Sequence, residues 1–134
     1  MDRSSLESRM RRRIARKRGD VFLRQDFSDL GGYDQVGRVL LDLTRKGELI
    51  RIGYGLYSRA TKSILTGTPV PVGGLRTLRD ALGRVGVKTV PSRLEKAYNA
   101  GQTTQVPTGR VVAVNRRVRR KIGYEGVSLA FERA

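Results

Sequence analysis

Apolar positions recur along this chain in blocks of changing period, and each change of period marks a change of element. Leu6, Met10 and Ile14 return every four residues, a single narrow stripe on a helix. Ser4, with Glu7 three residues later, fits a capping box at the start of that helix, and Gly19 stops it. Its other faces carry Arg9, Arg11, Arg12, Arg13, Arg16, Lys17 and Arg18. Val21, Phe22 and Leu23 form a short apolar segment, a strand or extended piece. Arg24 to Leu30 reads as a short helix with Phe27 and Leu30 facing inward, broken by Gly31-Gly32. Asp34 or Tyr33 opens the next helix, which runs to about Lys46 and ends on Gly47 as a left-handed cap. There Val36, Val39, Leu40 and Leu43 hold the i, i+3, i+4, i+7 spacing of one buried face. Gln35, Arg38, Asp42, Arg45 and Lys46 lie opposite.

Two apolar runs follow, Glu48 to Ile52 and Leu56 to Ser58, around the turn Gly53-Tyr54-Gly55. This predicts a β-hairpin. A hairpin directly after a basic helix, itself preceded by a shorter helix and a glycine turn, reads as a winged helix-turn-helix. Residues 61–74, with Pro69 and Pro71, read as a loop or linker. Beyond it, Leu75 to Val85 and Ser92 to Ala100 read as helices, Gln102 to Pro107 as extended or looped, and Arg110 to Val114 as a strand. Lys121 to Glu132 reads as a second hairpin around Tyr124-Glu125-Gly126. The expected fold is α/β (α+β). A winged helix-turn-helix DNA-binding domain spans residues 1–60, and a small helix–β-hairpin region spans residues 75–134.

Composition narrows the chemistry. With 134 residues and 38% apolar content, the chain can build one compact domain or two very small ones. It has no Cys and no His, which removes disulfides, thiolate or imidazole metal sites, and Ser-His or Cys-His catalysis. No glycine run is followed by the Lys and Ser or Thr of a phosphate loop, and the carboxylates are scattered among arginines. No enzyme activity, cofactor or metal is expected. No apolar run approaches the ~20 residues of a membrane span, so a cytoplasmic protein with no membrane partner is expected.

Charge sets the expected partner. The formal net charge is +16, from 28 Lys and Arg against 12 Asp and Glu. The surplus is spread: residues 1–66 hold 15 basic and 8 acidic side chains, residues 67–134 hold 13 and 4. Most cations are Arg, which suits bidentate phosphate and guanine contacts. On the second helix of the helix-turn-helix, Tyr33, Gln35 and Arg38 are the candidate base readers, with Arg45 and Lys46 further along for phosphates. In the wing, Arg51, Tyr54 and Arg59 are placed to reach the backbone or minor groove. Arg116, Arg117, Arg119, Arg120 and Lys121 form a dense basic run, either a second nucleic-acid contact or a solvated loop.

The segment from Val21 to Tyr57 resembles the N-terminal winged helix of AbiEi-type antitoxins. Phe22, Asp26-Phe27, Leu30-Gly31, Val36, Leu40, Leu43, Gly47, Ile50-Arg51 and Gly55-Leu56-Tyr57 carry the likeness. A second likeness lies in the run Tyr98 to Pro107, which ends in Thr104-Gln105-Val106-Pro107 and is followed by a basic hairpin. The resemblance implies a prokaryotic DNA-binding repressor that autoregulates an operon encoding a nucleotidyltransferase-like toxin. Longer members carry a C-terminal domain linked to toxin neutralisation, which a chain ending at Ala134 is expected to lack. Sequence-preferring binding to double-stranded DNA is the expected function, and a nucleotidyltransferase-like toxin is a further candidate partner. An RNA- or ribosome-associated basic protein and a toxin-neutralising interaction module are the alternatives.

Overall fold

The computed structural model describes residues 5–134. It divides into two compact units, the first ending at Val72 and the second spanning Gly73–Ala134. The architecture is mixed α and β, with four helices and several small sheets. Among the described residues no helix is long and apolar enough to cross a membrane.

The first unit begins with α1, Leu6–Arg16. Its described N-cap is Ser5, whose hydroxyl accepts the Ser8 N–H at 3.1 Å. The capping box expected from Ser4 lies outside the described residues. The predicted stripe does face inward: Met10 is fully buried, and Leu6 and Ile14 pack partly buried against the same cluster. Strand β1, Val21–Leu23, leads into a four-residue 3-10 turn, Arg24–Phe27. This replaces the longer helix expected up to Leu30. The Asp26 carboxylate accepts the Leu23 N–H at 2.9 Å, and Leu30 N–H bonds the Phe27 carbonyl at 3.0 Å, so local bonds close the segment as tight turns. Phe27 still faces the core, 6.3 Å from the Phe22 ring centroid.

Helix α2, Tyr33–Arg45, buries Val36, Leu40 and Leu43. Burying a leucine such as Leu40 contributes roughly 1.5–3 kcal/mol. Gly47 ends the helix with φ +77°, and Glu48 N–H reaches back to the Leu43 carbonyl at 3.0 Å. That left-handed cap is the one predicted. Strands β2, Leu49–Gly53, and β3, Leu56–Lys62, form the predicted hairpin, and β1 pairs antiparallel with β3 from the other side, giving the order β1-β3-β2. The supposed linker departs from expectation. β3 runs on to Lys62, and β4, Pro69–Pro71, pairs with it antiparallel. The two prolines stand two residues apart, so both ring nitrogens point away from β3, while Val72 N–H bonds the Arg59 carbonyl at 3.0 Å. An edge strand tolerates proline in that phase.

The second unit holds α3, Leu75–Arg84; β5, Thr89–Val90; α4, Arg93–Asn99; and β6, Val111–Val114. After these come β7, Gly123–Tyr124; β8, Val127–Ser128; and β9, Ala130–Arg133. The expected hairpin is present as β7–β8, turning on Glu125 (φ +42°) and Gly126 (φ +78°). Two positive φ values in a two-residue turn match the right-handed twist of the strands. The rest was not anticipated. β9 pairs parallel with β6, and β5 pairs antiparallel on the opposite edge.

One side chain fastens α1 to this arrangement. Arg59 on β3 donates to the carbonyls of Ile14, Lys17 and Gly19 and to the Asp20 carboxylate, and its guanidinium lies 5.0 Å from the Phe22 ring centroid. Replacing Arg59 with Met should lower the unfolding free energy by about 1–3 kcal/mol, because those carbonyls lose their donor. Arg59→Lys should recover only part, since one ammonium cannot span the set. Urea unfolding of the two variants checks this, and an unchanged midpoint for Arg59→Met would refute it.

Exposed ion pairs hold the same helix. Lys46 bonds Glu7 at 2.9 Å and Arg13 bonds Asp29, and these bonds hold both carboxyls below the ordinary carboxylate range. A carboxyl whose folded pKa is lowered stabilises the fold above its unfolded pKa. That contribution is lost as pH falls through the lowered folded value. Melting temperature against pH should therefore drop on the acid side, and Glu7→Gln with Asp29→Asn should flatten that limb while leaving the slope near neutrality unchanged.

Candidate functional site

The exposed side of α2 follows from which positions the core takes. With Val36, Leu40 and Leu43 buried, Asp34, Arg38, Leu41 and Arg45 share an outer stripe at i, i+4, i+7 and i+11, and all four are exposed. Leu41 is 46% exposed. It was not among the predicted site residues, although its place one position off the buried set was legible. Tyr33 opens the helix and is 66% exposed. Gln35 is exposed too, but its side-chain oxygen accepts the Gly32 N–H at 3.4 Å, so it also caps the helix that carries it.

Arg24 is the residue that sequence reasoning missed. Its guanidinium carbon lies 3.5 Å from the Tyr33 ring centroid. The same group donates twice to the Tyr33 carbonyl, at 2.9 and 2.7 Å, and stands 3.9 Å from Asp34. It occupies the space beside Gly37, where an added Cβ would collide with it. Stacking, two hydrogen bonds and a glycine seat thus hold the first turn of α2 against the preceding 3-10 turn. The one sequence signal was Gly37 itself. Glycine inside a helix costs about 1 kcal/mol relative to alanine and so marks a close approach.

The other predicted residues of the first unit fall in two groups. Arg45 is exposed, and so are Arg51 and Tyr54 at the hairpin turn. Arg51 donates to the Gly53 carbonyl at 3.3 Å, and its guanidinium lies 5.9 Å from the Tyr54 ring. Tyr54 is 79% exposed and so forms the tip. Lys46 and Arg59 are engaged elsewhere. Lys46 is bonded to Glu7 on α1, within a cluster in which Arg11 grips both oxygens of Glu48 at 2.9 and 2.7 Å. Arg59, expected near the minor groove, is instead turned inward onto the end of α1.

A second basic surface lies between α1 and the 3-10 turn. Arg9, Arg12, Arg13, Arg16, Lys17, Asp26 and Leu30 line an open groove of about 510 Å³. Lys17 bonds Asp26, and Arg13 bonds Asp29 and the Asp26 carbonyl.

In the second unit, Arg116 donates to the Val85 carbonyl at 3.1 Å, while Arg117, Arg119, Arg120 and Lys121 are exposed. All five stand on the connection between β6 and β7, which has no regular structure. The Tyr98–Pro107 run closes α4: Gln102 N–H bonds the Ala97 carbonyl at 2.8 Å around Gly101 at φ +72°. Tyr98 and Val106 of that run remain exposed.

The Gly37 seat gives a direct test. An ordinary helical Gly→Ala change stabilises by about 0.5–1 kcal/mol. Gly83→Ala in α3 should do so, because nothing lies within 4 Å of its added Cβ. Gly37→Ala should stabilise less than Gly83→Ala, because its Cβ must displace the Arg24 guanidinium from its seat, and the upfield ring-current shift of the Arg24 side-chain protons should vanish from the NMR spectrum. A Gly37→Ala variant that is stabilised as much as Gly83→Ala, with that shift intact, would show that the seat is spare room.

Comparison with curated proteins and with solved structures finds no match. A family of unknown function, DUF6088, matches residues 9–134. That span takes in both units except the start of α1, and the chain belongs to this family.

Proposed function

We propose that the first unit is a winged helix-turn-helix and that the protein binds double-stranded DNA with sequence preference. In this reading it acts as an autoregulating transcriptional repressor of a toxin–antitoxin-like operon. The observation that carries the proposal is α2. One face is fully committed to the core, and the other presents Tyr33, Arg38, Leu41 and Arg45 to solvent in a chain of net charge +16. The element order supports it as well: helix, strand, helical turn, helix and hairpin, with the sheet order β1-β3-β2.

The chemistry of the exposed residues suits a duplex. Arg38 can pair with the acceptor edge of guanine, and Leu41 can lie against a thymine methyl. Tyr33 can meet a phosphate or a methyl, held upright by Arg24. Arg45, in the last turn of α2, suits phosphates. The hairpin tip presents Tyr54 and Arg51 to an adjacent groove or backbone. The resemblance to AbiEi-type antitoxins makes operon autoregulation the expected biological setting.

The test begins with selection from a randomised duplex pool, followed by fluorescence anisotropy across a salt series. Six or more phosphate contacts should give a slope of log affinity against log salt of about −5 or steeper. Arg38→Ala should cost roughly 1–3 kcal/mol on the selected site and relax its sequence preference. Arg45→Ala should weaken binding to all duplexes alike. A flat salt response, or tighter binding to single-stranded RNA than to any duplex, would overturn the proposal in favour of an RNA-associated protein.

A further inference from the structure

The groove between α1 and the 3-10 turn is unlike an ordinary solvated helix face. Arg9, Arg12, Arg13, Arg16 and Lys17 stand at i, i+3, i+4, i+7 and i+8, the spacing that puts side chains on one side of a helix. Two like-charged pairs inside α1, 9–13 and 12–16, are therefore direct i,i+4 neighbours, an arrangement that destabilises a helix. Cations in the last turn are favoured by the helix dipole, which accounts for Arg13 and Arg16 but not for Arg9 and Arg12 in the middle. Among the described residues two carboxylates stand at the groove. Asp26 lines the groove and Asp29 stands beside it, so five cations face two acids. Those two acids bond Lys17 and Arg13, which fixes one wall of the groove in place. Leu30 forms an apolar part of the lining.

We infer that this groove is a seat for phosphate groups, filled by backbone phosphates of the bound duplex. The inference rests on the DNA-binding reading but adds a second anchoring surface that α2 does not supply. Arginine forks at successive helical turns match the repeated, widely spaced anions of a nucleic-acid backbone. The relief of like-charge repulsion along α1 makes occupancy couple to the stability of that helix. The same chemistry would take a free polyphosphate, so the probes must separate the two sources.

The experiment uses the full chain, the double variant Arg12→Gln/Arg16→Gln and a charge-matched control, Lys88→Gln/Lys96→Gln, whose residues are exposed and lie outside every proposed contact. On the selected duplex, the groove variant should lose about tenfold in affinity. The magnitude of its salt slope should fall by about 1.8, or 0.9 per lost phosphate contact. Its ratio of specific to nonspecific binding should be unchanged, and the control should shift the slope by less than half as much. Equal effects of the two double variants, with wild-type duplex binding intact, would overturn the inference and leave the groove as general surface charge. If the wild-type chain binds no duplex, the DNA-binding reading fails by itself, and inorganic tripolyphosphate decides the groove. NMR shifts centred on Arg12, Arg16 and Leu30, and lost in the groove variant, would retain a phosphate seat for a free ligand. Shifts spread over all cations, or none, would overturn it.

Discussion

The first unit depends on how the C-terminal end of α1 is satisfied. The last carbonyls of any helix lack partners within the helix and must find donors elsewhere. Here the Lys17 N–H returns to Arg13, and Arg59 from β3 supplies donors to Ile14, Lys17 and Gly19. The same guanidinium pairs with Asp20 and lies over Phe22, so one side chain ties the end of α1, the approach to β1 and the middle of β3. Met10 packs in one cluster with Val36, Leu40 and Leu43 of α2, so the anchored helix and α2 share a core.

A chain so rich in Arg uses its cations in two ways, and the structure separates them. Glu7, Asp20, Asp26, Asp29, Asp34 and Glu48 each stand in an ion pair with an Arg or Lys from another segment of the first unit. Ion pairs at a solvated surface add little net stability, but these fix which cations point inward. Arg24, Arg59 and Lys17 become internal clamps, two of them lying over the ring of Phe22. Among the described residues no buried side-chain nitrogen or oxygen lacks a hydrogen-bond partner. Acidic residues here act chiefly as internal fasteners. Arg38 and Arg45 stay exposed on the outer face of α2.

The helices were legible in the sequence because their apolar positions keep strict helical spacing. Val36, Leu40 and Leu43 are buried as the pattern requires, and Gly47 stops α2 in the left-handed conformation. The hairpin after α2 was legible for the same reason. What escaped were elements set by partners distant in sequence. β4 carries prolines at 69 and 71, which argue against a strand until an edge with the right phase is available. β9 and the two-residue β5 exist only through pairing with β6, and nothing local marks a parallel partner. At the site, Tyr33, Arg38 and Arg45 could be read from exposure on a helical wheel. Arg59 could not, because a basic residue on a hairpin looks the same whether it faces solvent or a helix end. Arg24 was hidden behind a glycine whose cost to the helix was the clue.

The parallel pairing of β6 and β9 also explains why the basic run is where it is. Parallel neighbours cannot be joined by a tight turn; the chain must travel back before the second strand begins. Residues 115–129 make that return, and the small β7–β8 hairpin takes up part of its length. Topology therefore requires a connection after Val114 but says nothing about its composition. Arg116 has a local task at the Val85 carbonyl, and Ile122 is fully buried. Between them, Arg117, Arg119, Arg120 and Lys121 are exposed on backbone that pairs with no strand. The fold accounts for the length of the segment, and its exposed cations lie on backbone that strand pairing leaves free of a regular element.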